Sequence, residues 1–243
     1  MTKKTLFTTL LITLTLTINA QDWWNNKKIK GNGNLITVNR TTLDYNNIEV
    51  AGSFHVFLVK GKEGKITIEG EENIIEYLET EVSGSTLQIR FEKGINAQTT
   101  KKLIITVPFQ SLEKVSLGGS GKIKSTAVIK ASYFKTNLAG SGDIALKVDA
   151  EEVASSIAGS GNISLEGNTK QLVCAIAGSG DVKAYDLKTK ELSVKITGSG
   201  SIKTHVTSMI KAKIVGSGSV YYKGNPSKID SKSVGSGDII DKN

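Results

Sequence analysis

The tripeptide Gly-Ser-Gly occurs seven times in the second half of the chain, and its spacing constrains the fold more than any other feature. The first glycines of the seven copies stand at 119, 140, 159, 178, 198, 216 and 235, which is one copy about every 19 residues. A fixed period in this range indicates that one structural unit is stacked many times. The sequence is therefore that of a repeat protein.

Apolar residues recur at fixed positions around each Gly-Ser-Gly. Counted from the first glycine, positions −6, −2 and +4 are apolar in nearly every copy, as in Leu172, Ile176 and Val182. Position −4 holds smaller residues, such as Cys174. Offsets of two residues place side chains on one face of a strand, and no helical spacing fits them. The pattern predicts an all-β fold, a single parallel β-helix with coils of about 19 residues.

The glycines are predicted to form the corners of the coils, because a tight corner requires a positive φ or a close approach of two backbones. The predicted corner residues are Gly119, Gly121, Gly140, Gly142, Gly159, Gly161, Gly178, Gly180, Gly198, Gly200, Gly216, Gly218, Gly235 and Gly237.

Length variation is confined to one side of each coil. From position −6 to position +4 the distance is always 10 residues, whereas from +4 to the next −6 it ranges from 8 to 11. We call this second stretch the variable side. Because loops tolerate insertions and carry most binding residues, ligand contact is expected there.

The chain before the repeat contains a targeting segment and a less regular β region. Residues 1–20 have a basic start, an apolar stretch and a small residue at Ala20, and are predicted to be a signal peptide. The predicted destination is the periplasm, the cell surface or the medium. No later apolar run is long enough to cross a membrane as a helix. The predicted organisation is a linker over 21–34 and one β-helix domain over 35–243, with irregular coils over 35–118 and regular Gly-Ser-Gly repeats over 119–243.

Several short motifs add to the repeat. They are Ile48-x-Val50-x-Gly52-x-Phe54-x-Val56, Leu87-x-Ile89 and Ile105-Thr106-Val107-Pro108. Together with the repeats, over roughly residues 46–225, they make the sequence similar to the auto-transporter adhesin head GIN domain family of exported proteins from Bacteroidetes-type bacteria. The resemblance implies a right-handed β-helix and a cell-surface or periplasmic setting. It implies no established activity and no catalytic residues.

The charge of the chain bears on its partners. There are 31 basic and 23 acidic residues, a net charge of +8, and only two of the cations are arginines. An exported basic protein rarely meets nucleic acid, so a glycan, another envelope polymer or a membrane surface is the expected partner. The sequence predicts an exported, non-catalytic, adhesin-like binding or structural protein. The residues predicted to form its ligand face are Lys147, Lys170, Lys183, Lys188, Lys203 and Tyr221.

No catalytic residue, metal site or cofactor is predicted. The seven Gly-Ser-Gly serines recur without a repeating base, so they are interpreted as turn hydroxyls rather than nucleophiles. Position +3 is a carboxylate in only three of seven copies, too few for repeated calcium sites. Cys174 is expected in the core, and His55 and His205 on the surface.

Other functions remain open at this stage. Many β-helices are polysaccharide lyases or hydrolases, which need converging carboxylates. The acidic residues of the variable side are the candidates for that alternative: Asp149, Glu151, Glu152, Asp186 and Glu191. A third hypothesis is an accessory protein of envelope stress or assembly. Polar Ser231 and Ser233, with charged Asp241 and Lys242, favour a monomer over self-association through the last coil.

Overall fold

The structure, a computed structural model, describes residues 26–243. The predicted signal peptide 1–20 lies outside the described residues, as do Trp23 and Trp24. The chain is nearly all β and winds into a β-solenoid of about seven turns with coils of about 19 residues. The predicted fold class is confirmed.

The first half of the chain forms nine short strands and one helical turn. They are β1 (Lys27–Lys30), β2 (Leu35–Thr41), β3 (Asn47–Ala51), β4 (His55–Lys60), β5 (Lys65–Glu71), α1 (Glu72–Ile75), β6 (Leu78–Ser83), β7 (Thr86–Phe91), β8 (Ile95–Gln98) and β9 (Ile104–Phe109). The repeats form long strands that bend with each coil. They are β10 (Lys114–Gly119), β11 (Lys122–Gly140), β12 (Asp143–Gly159), β13 (Asn162–Gly178), β14 (Asp181–Gly198), β15 (Ile202–Gly216), β16 (Val220–Lys223), β17 (Lys228–Val234) and β18 (Ile239–Asp241).

Parallel pairing carries the register through the repeat. Strands β10 to β15 pair in chain order, and the first glycine of each Gly-Ser-Gly lies opposite the next, as Gly140 does with Gly159. The predicted apolar positions face inward, with Leu172 at 0%, Ile176 at 2% and Val182 at 0% exposed. Identical positions therefore stack into ladders that form the core.

The last coil departs from this pattern. Ile229, Ser231 and Ser233 occupy positions −6, −4 and −2 there, but every residue of β17 is exposed. Ile229 keeps 43% of its surface in solvent because only β15 pairs with this strand.

Each corner is built by backbone packing against the previous coil. At Gly140, φ is +121°, and the carbonyl oxygen of Gly119 accepts hydrogen bonds from the N–H groups of Ser141 (3.1 Å) and Gly142 (3.0 Å). A Cβ built on Gly140 would lie 2.5 Å from that oxygen. Both reasons given for glycine, the positive φ and the close approach, hold at this corner.

The amino-terminal end of the stack contains antiparallel strand pairs as well as parallel coils. The prediction of irregular coils over 35–118 did not include these antiparallel pairs. Strands β3 and β7, and strands β4 and β9, continue the parallel stack. Beyond them, β6 pairs antiparallel with β7, β5 with β9, and β2 with β5. A two-residue turn at Gly84 and Ser85 joins β6 to β7, and such a short connection can reverse a strand but cannot cross over a coil.

The predicted linker is structured in its described part. Residues 27–30 form β1, which pairs in parallel with β8. The segment behind it is held by Glu71, whose buried carboxylate accepts hydrogen bonds from the N–H of Gly33 (2.7 Å) and from the Thr100 hydroxyl (2.6 Å). Pairing with a distant strand and hydrogen bonds to a distant carboxylate therefore order the described part of the predicted linker.

Candidate functional site

The irregular backbone of the solenoid lies on its variable side. Between regular coils, the pairing register shifts between Lys124 and Val128, between Ser164 and Gly167, and at two places between Ala184 and Glu191. All these shifts fall between positions +4 and −6, and none falls in the constant half. Two outward grooves follow the bends, so we describe them as the candidate site.

The larger groove has a volume of about 770 Å³ and is called the threonine groove. Its floor includes Thr169 and Thr189, which are 6% and 1% exposed. The Thr169 hydroxyl lies 3.1 Å from the carbonyl oxygen of Glu151 and 3.0 Å from that of Gln171. Hydroxyls therefore satisfy carbonyls where the bend interrupts the ladder. The polar residues along the groove include Lys130, Asp149, Glu151, Asn168, Lys170, Lys188 and Lys190.

The smaller groove has a volume of about 460 Å³ and is called the tyrosine groove. Its walls come from positions +5 to +8 of successive coils. They include Lys124, Lys147, Glu166, Lys183, Tyr185, Asp186 and Lys203. Lys183 and Lys203 are register partners on adjacent coils, and Lys203 is the partner of Tyr221 on the next coil.

The structure places the predicted ligand-face residues in two locations. Lys147, Lys183 and Lys203 line the tyrosine groove, and Tyr221 continues the same column. Lys170 and Lys188 instead line the threonine groove.

Tyr185 is a groove residue that the sequence did not predict. It lies close to Lys223, which is two coils further along the stack. The ammonium Nζ of Lys223 lies 5.1 Å from the centre of the Tyr185 ring. The register shift between Ala184 and Lys188 hides this proximity, because it breaks the column alignment used to group the repeats. The feature that could have indicated Tyr185 is an outward tyrosine within a basic segment of the variable side.

Ion pairs occupy part of each groove. Lys147 binds Glu166 at 2.7 Å in the tyrosine groove, and Lys170 binds Glu151 at 2.6 Å in the threonine groove. In residues 26–243, Lys130, Lys183, Lys188, Lys190 and Lys203 form no salt bridge. Both grooves therefore present cations that are free to meet an anion.

Of the five acidic residues that were candidates for catalysis, three line a groove, and Glu152 and Glu191 line neither. Asp149 and Glu151 line the threonine groove, and Asp186 lines the tyrosine groove. A hydrogen bond and the charge of Lys170 lower the pKa of Glu151. A carboxyl group that acts as a general acid needs a raised pKa, whereas Lys170 lowers the pKa of Glu151.

Polar residues of the corners are engaged with one another. At position +3, Asp143 accepts a hydrogen bond from Asn162 (3.1 Å) and lies 3.3 Å from the Lys122 ammonium. Asp181 accepts one from the N–H of Ser201 at 2.8 Å. Across the described residues, no three His, Cys, Asp or Glu side chains are grouped as metal ligands would be.

The cysteine and the two histidines lie apart from the grooves or at their edge. Cys174 is 1% exposed, and burial raises the pKa of its thiol to about 12, so it is an inert core residue. His55 is half-buried on β4, where burial and the charges of Lys102 and Lys122 lower its pKa. His205 is half-buried on β15 and pairs in register with Lys223.

A family model described as "Putative auto-transporter adhesin, head GIN domain" matches residues 44–226. The chain belongs to this family. The predicted resemblance is therefore confirmed, over nearly the range that the motifs indicated.

Solved structures share the fold. A protein of Bacteroides fragilis NCTC 9343 described as a "putative adhesin" superposes with a TM-score of 0.83 at 22% identity, covering 88% of this chain and all of that one. A protein of Parabacteroides distasonis ATCC 8503 described as a "putative lipid binding protein" superposes with a TM-score of 0.77 at 29% identity, covering 89% of this chain and all of that one. A protein of Parabacteroides merdae ATCC 43184 described as a "putative adhesin" superposes with a TM-score of 0.70 at 26% identity, covering 89% of this chain and 99% of that one. No curated protein matches the chain. Within the described residues, no helix has the length and apolarity needed to cross a membrane.

Proposed function

We propose that this chain is an exported, non-catalytic, adhesin-like protein that binds a glycan or another surface polymer through the two grooves of its variable side. The observation that carries the proposal is the set of lysines along both grooves that have no acidic partner in the described chain. A row of cations repeated from coil to coil matches an extended anion better than a small one. The family description, and the Parabacteroides merdae protein described as a "putative adhesin" at 26% identity, support the same class of function.

The proposal includes the absence of catalysis. A polysaccharide lyase or hydrolase needs carboxyl groups set apart in pKa around one bond. The two grooves separate Asp186 from Asp149 and Glu151, and Lys170 holds Glu151 in its charged form. Incubation with acidic polysaccharides should release no new reducing ends and no unsaturated product. Turnover that Glu151→Gln abolishes would overturn this part of the proposal.

A glycan array tests the binding function directly, with the mature chain from residue 21. One variant changes to Gln five groove lysines that form no salt bridge in the described chain: Lys130, Lys183, Lys188, Lys190 and Lys203. The matched control changes five outward lysines of the constant half to Gln: Lys114, Lys135, Lys195, Lys211 and Lys213.

Both variants lose five positive charges, so they share any effect of net charge. We expect the first variant to lose its array signals and the control to keep them. Equal losses in the two variants, or no loss in either, would contradict a binding role for the variable side.

A further inference from the structure

Two lysines of the tyrosine groove are stacked directly on each other. Lys183 and Lys203 are register partners in β14 and β15, and adjacent strands lie about 4.8 Å apart. Like charges at directly opposed positions destabilise a sheet. Neither lysine forms a salt bridge in the described part of the chain. An anion that bridges both ammonium groups would remove this repulsion.

Two tyrosine rings adjoin the stacked lysines. Tyr221 follows Lys203 in the same column, and Tyr185 lies on the coil of Lys183. Burial raises the pKa of Tyr185, and the charge of Tyr221 raises it further.

Each ring also has an ammonium group close to it. Lys223 Nζ lies 5.1 Å from the centre of the Tyr185 ring, and Lys242 Nζ lies 5.6 Å from that of Tyr221. These distances are within the range of cation–π contact. The groove and the coils that continue it therefore combine aromatic surface and positive charge over four neighbouring coils.

The acidic residues nearby do not neutralise this cluster. Glu166 is bound to Lys147, and Asp143 is held by Asn162 and Lys122. Asp186 lines the groove, and Asp241 lies 3.3 Å from the hydroxyl of Tyr222 on the neighbouring column. Against these two carboxylates stand four lysines: Lys183, Lys203, Lys223 and Lys242.

We propose that the tyrosine groove binds a carboxylated saccharide unit of a linear acidic polysaccharide, with the stacked lysines on the carboxylate and the tyrosines against the sugar ring. The inference rests on the proposed function and names the ligand class of one of its grooves. Tyrosine offers an apolar face together with a hydroxyl, which suits a ring that has both C–H and O–H groups.

The test measures binding of the mature chain to two uronate polymers, polygalacturonate and alginate. Fully methyl-esterified polygalacturonate is the neutral comparison, and phosphatidylglycerol vesicles present a different anion. The first variant is Lys183→Gln with Lys203→Gln, and its matched control is Lys195→Gln with Lys213→Gln. Lys195 and Lys213 are also stacked register partners of β14 and β15, but they face outward on the constant half.

The aromatic part is tested by Tyr185→Ala with Tyr221→Ala. The pair Tyr185→Phe with Tyr221→Phe keeps both rings and serves as its control. Melting temperatures establish that each variant is folded.

We expect binding to at least one uronate polymer, and binding to the methyl ester weaker by at least roughly tenfold. The Lys183/Lys203 variant should weaken binding roughly tenfold or more, since each lost charge-assisted contact contributes measurably. The double Ala variant should also weaken it roughly tenfold, whereas the double Phe variant and the Lys195/Lys213 control should stay within about threefold.

The proposal fails if neither uronate polymer binds, if the two lysine variants weaken binding equally, or if the double Ala variant binds as the unchanged protein does. Vesicle binding that follows the same variants, without uronate binding, would assign the groove to a lipid headgroup instead. Array signals for sulfated glycans without uronate binding would leave the proposed polymer-binding function standing while this inference fails.

Discussion

Replacing Gly140 by Ala should destabilise the solenoid by more than a surface Gly→Ala change does. Two costs add at this corner. The backbone φ of +121° is one that L side chains rarely adopt, which costs about 1–3 kcal/mol. The new Cβ would also lie 2.5 Å from the Gly119 oxygen, where ordinary contact begins at 3.4 Å. Moving that oxygen weakens its hydrogen bonds to Ser141 and Gly142, at about 1 kcal/mol each.

The sum is about 3–5 kcal/mol, from which the lower entropy of the unfolded alanine chain removes up to about 1 kcal/mol. Gly142→Ala isolates the contact, because its Cβ would lie 2.5 Å from the Gly121 oxygen without a positive φ. Gly84→Ala is the comparison without a contact, because nothing lies within 4 Å and φ is +60°, a left-handed value that costs an L residue less than +121° does. We expect losses in the order Gly140, Gly142, Gly84.

Urea unfolding followed by circular dichroism measures the three losses. The two corner variants should have clearly lower midpoints, and Gly84→Ala a change of about 1 kcal/mol or less. If Gly140→Ala lost no more stability than Gly84→Ala, close backbone packing at the corners would not be what requires glycine there.

Three further changes test the core and the amino-terminal segment. Leu172→Asp places a charge at a position that is 0% exposed and should abolish cooperative melting. Val173→Asp, on the outer face of the same strand, should leave melting cooperative. An unchanged melting temperature for Leu172→Asp would refute the register. Thr136→Val removes a buried hydroxyl that has no hydrogen-bond partner and should be neutral or stabilising by up to about 1 kcal/mol in urea unfolding, whereas a clear loss would reveal a hidden partner. Burial alone would raise the pKa of Glu71, but hydrogen bonds from Thr100, Lys101 and Gly33 lower it to about 2. The charged carboxylate therefore stabilises the folded chain at pH values above its ordinary pKa, and this stabilisation is lost as the pH falls towards about 2. Glu71→Gln should therefore lower stability at neutral pH and flatten its decline in acid, and an unchanged acid profile would contradict the assignment.

The repeat could be read from the sequence because each inward position recurs at the same distance from Gly-Ser-Gly. Burial of Leu172, Ile176 and Val182 follows from that column pattern alone. The amino-terminal strands were harder, because alternation with a period of two marks a buried face but does not give the direction of the partner strand. The antiparallel pairing of β5 with β2 and β9 is therefore not visible in the alternation of Ile66 and Ile68.

The candidate site was predictable in part for a related reason. Lysines at the same column, such as Lys183 and Lys203, could be aligned because the register is regular up to position +5. Beyond it the bends shift the register, so the approach of Lys223 to Tyr185 depends on the path of the backbone. The strand at residues 27–30 was missed because its partner, β8, lies far along the chain and outside the repeat.

The central claim is that the variable side binds an acidic polymer by its charge. Its most direct test is the affinity of the mature chain for polygalacturonate as sodium chloride is raised. Screening shortens the range of charge interactions from about 30 Å at 0.01 M salt to about 10 Å at 0.1 M. We predict a steep loss of affinity over this range. The loss should be shallower in the variant that lacks five unpaired groove lysines, and as steep in the constant-half control as in the unchanged protein. Affinity that does not respond to salt, or no binding to any anionic polymer, would contradict the account.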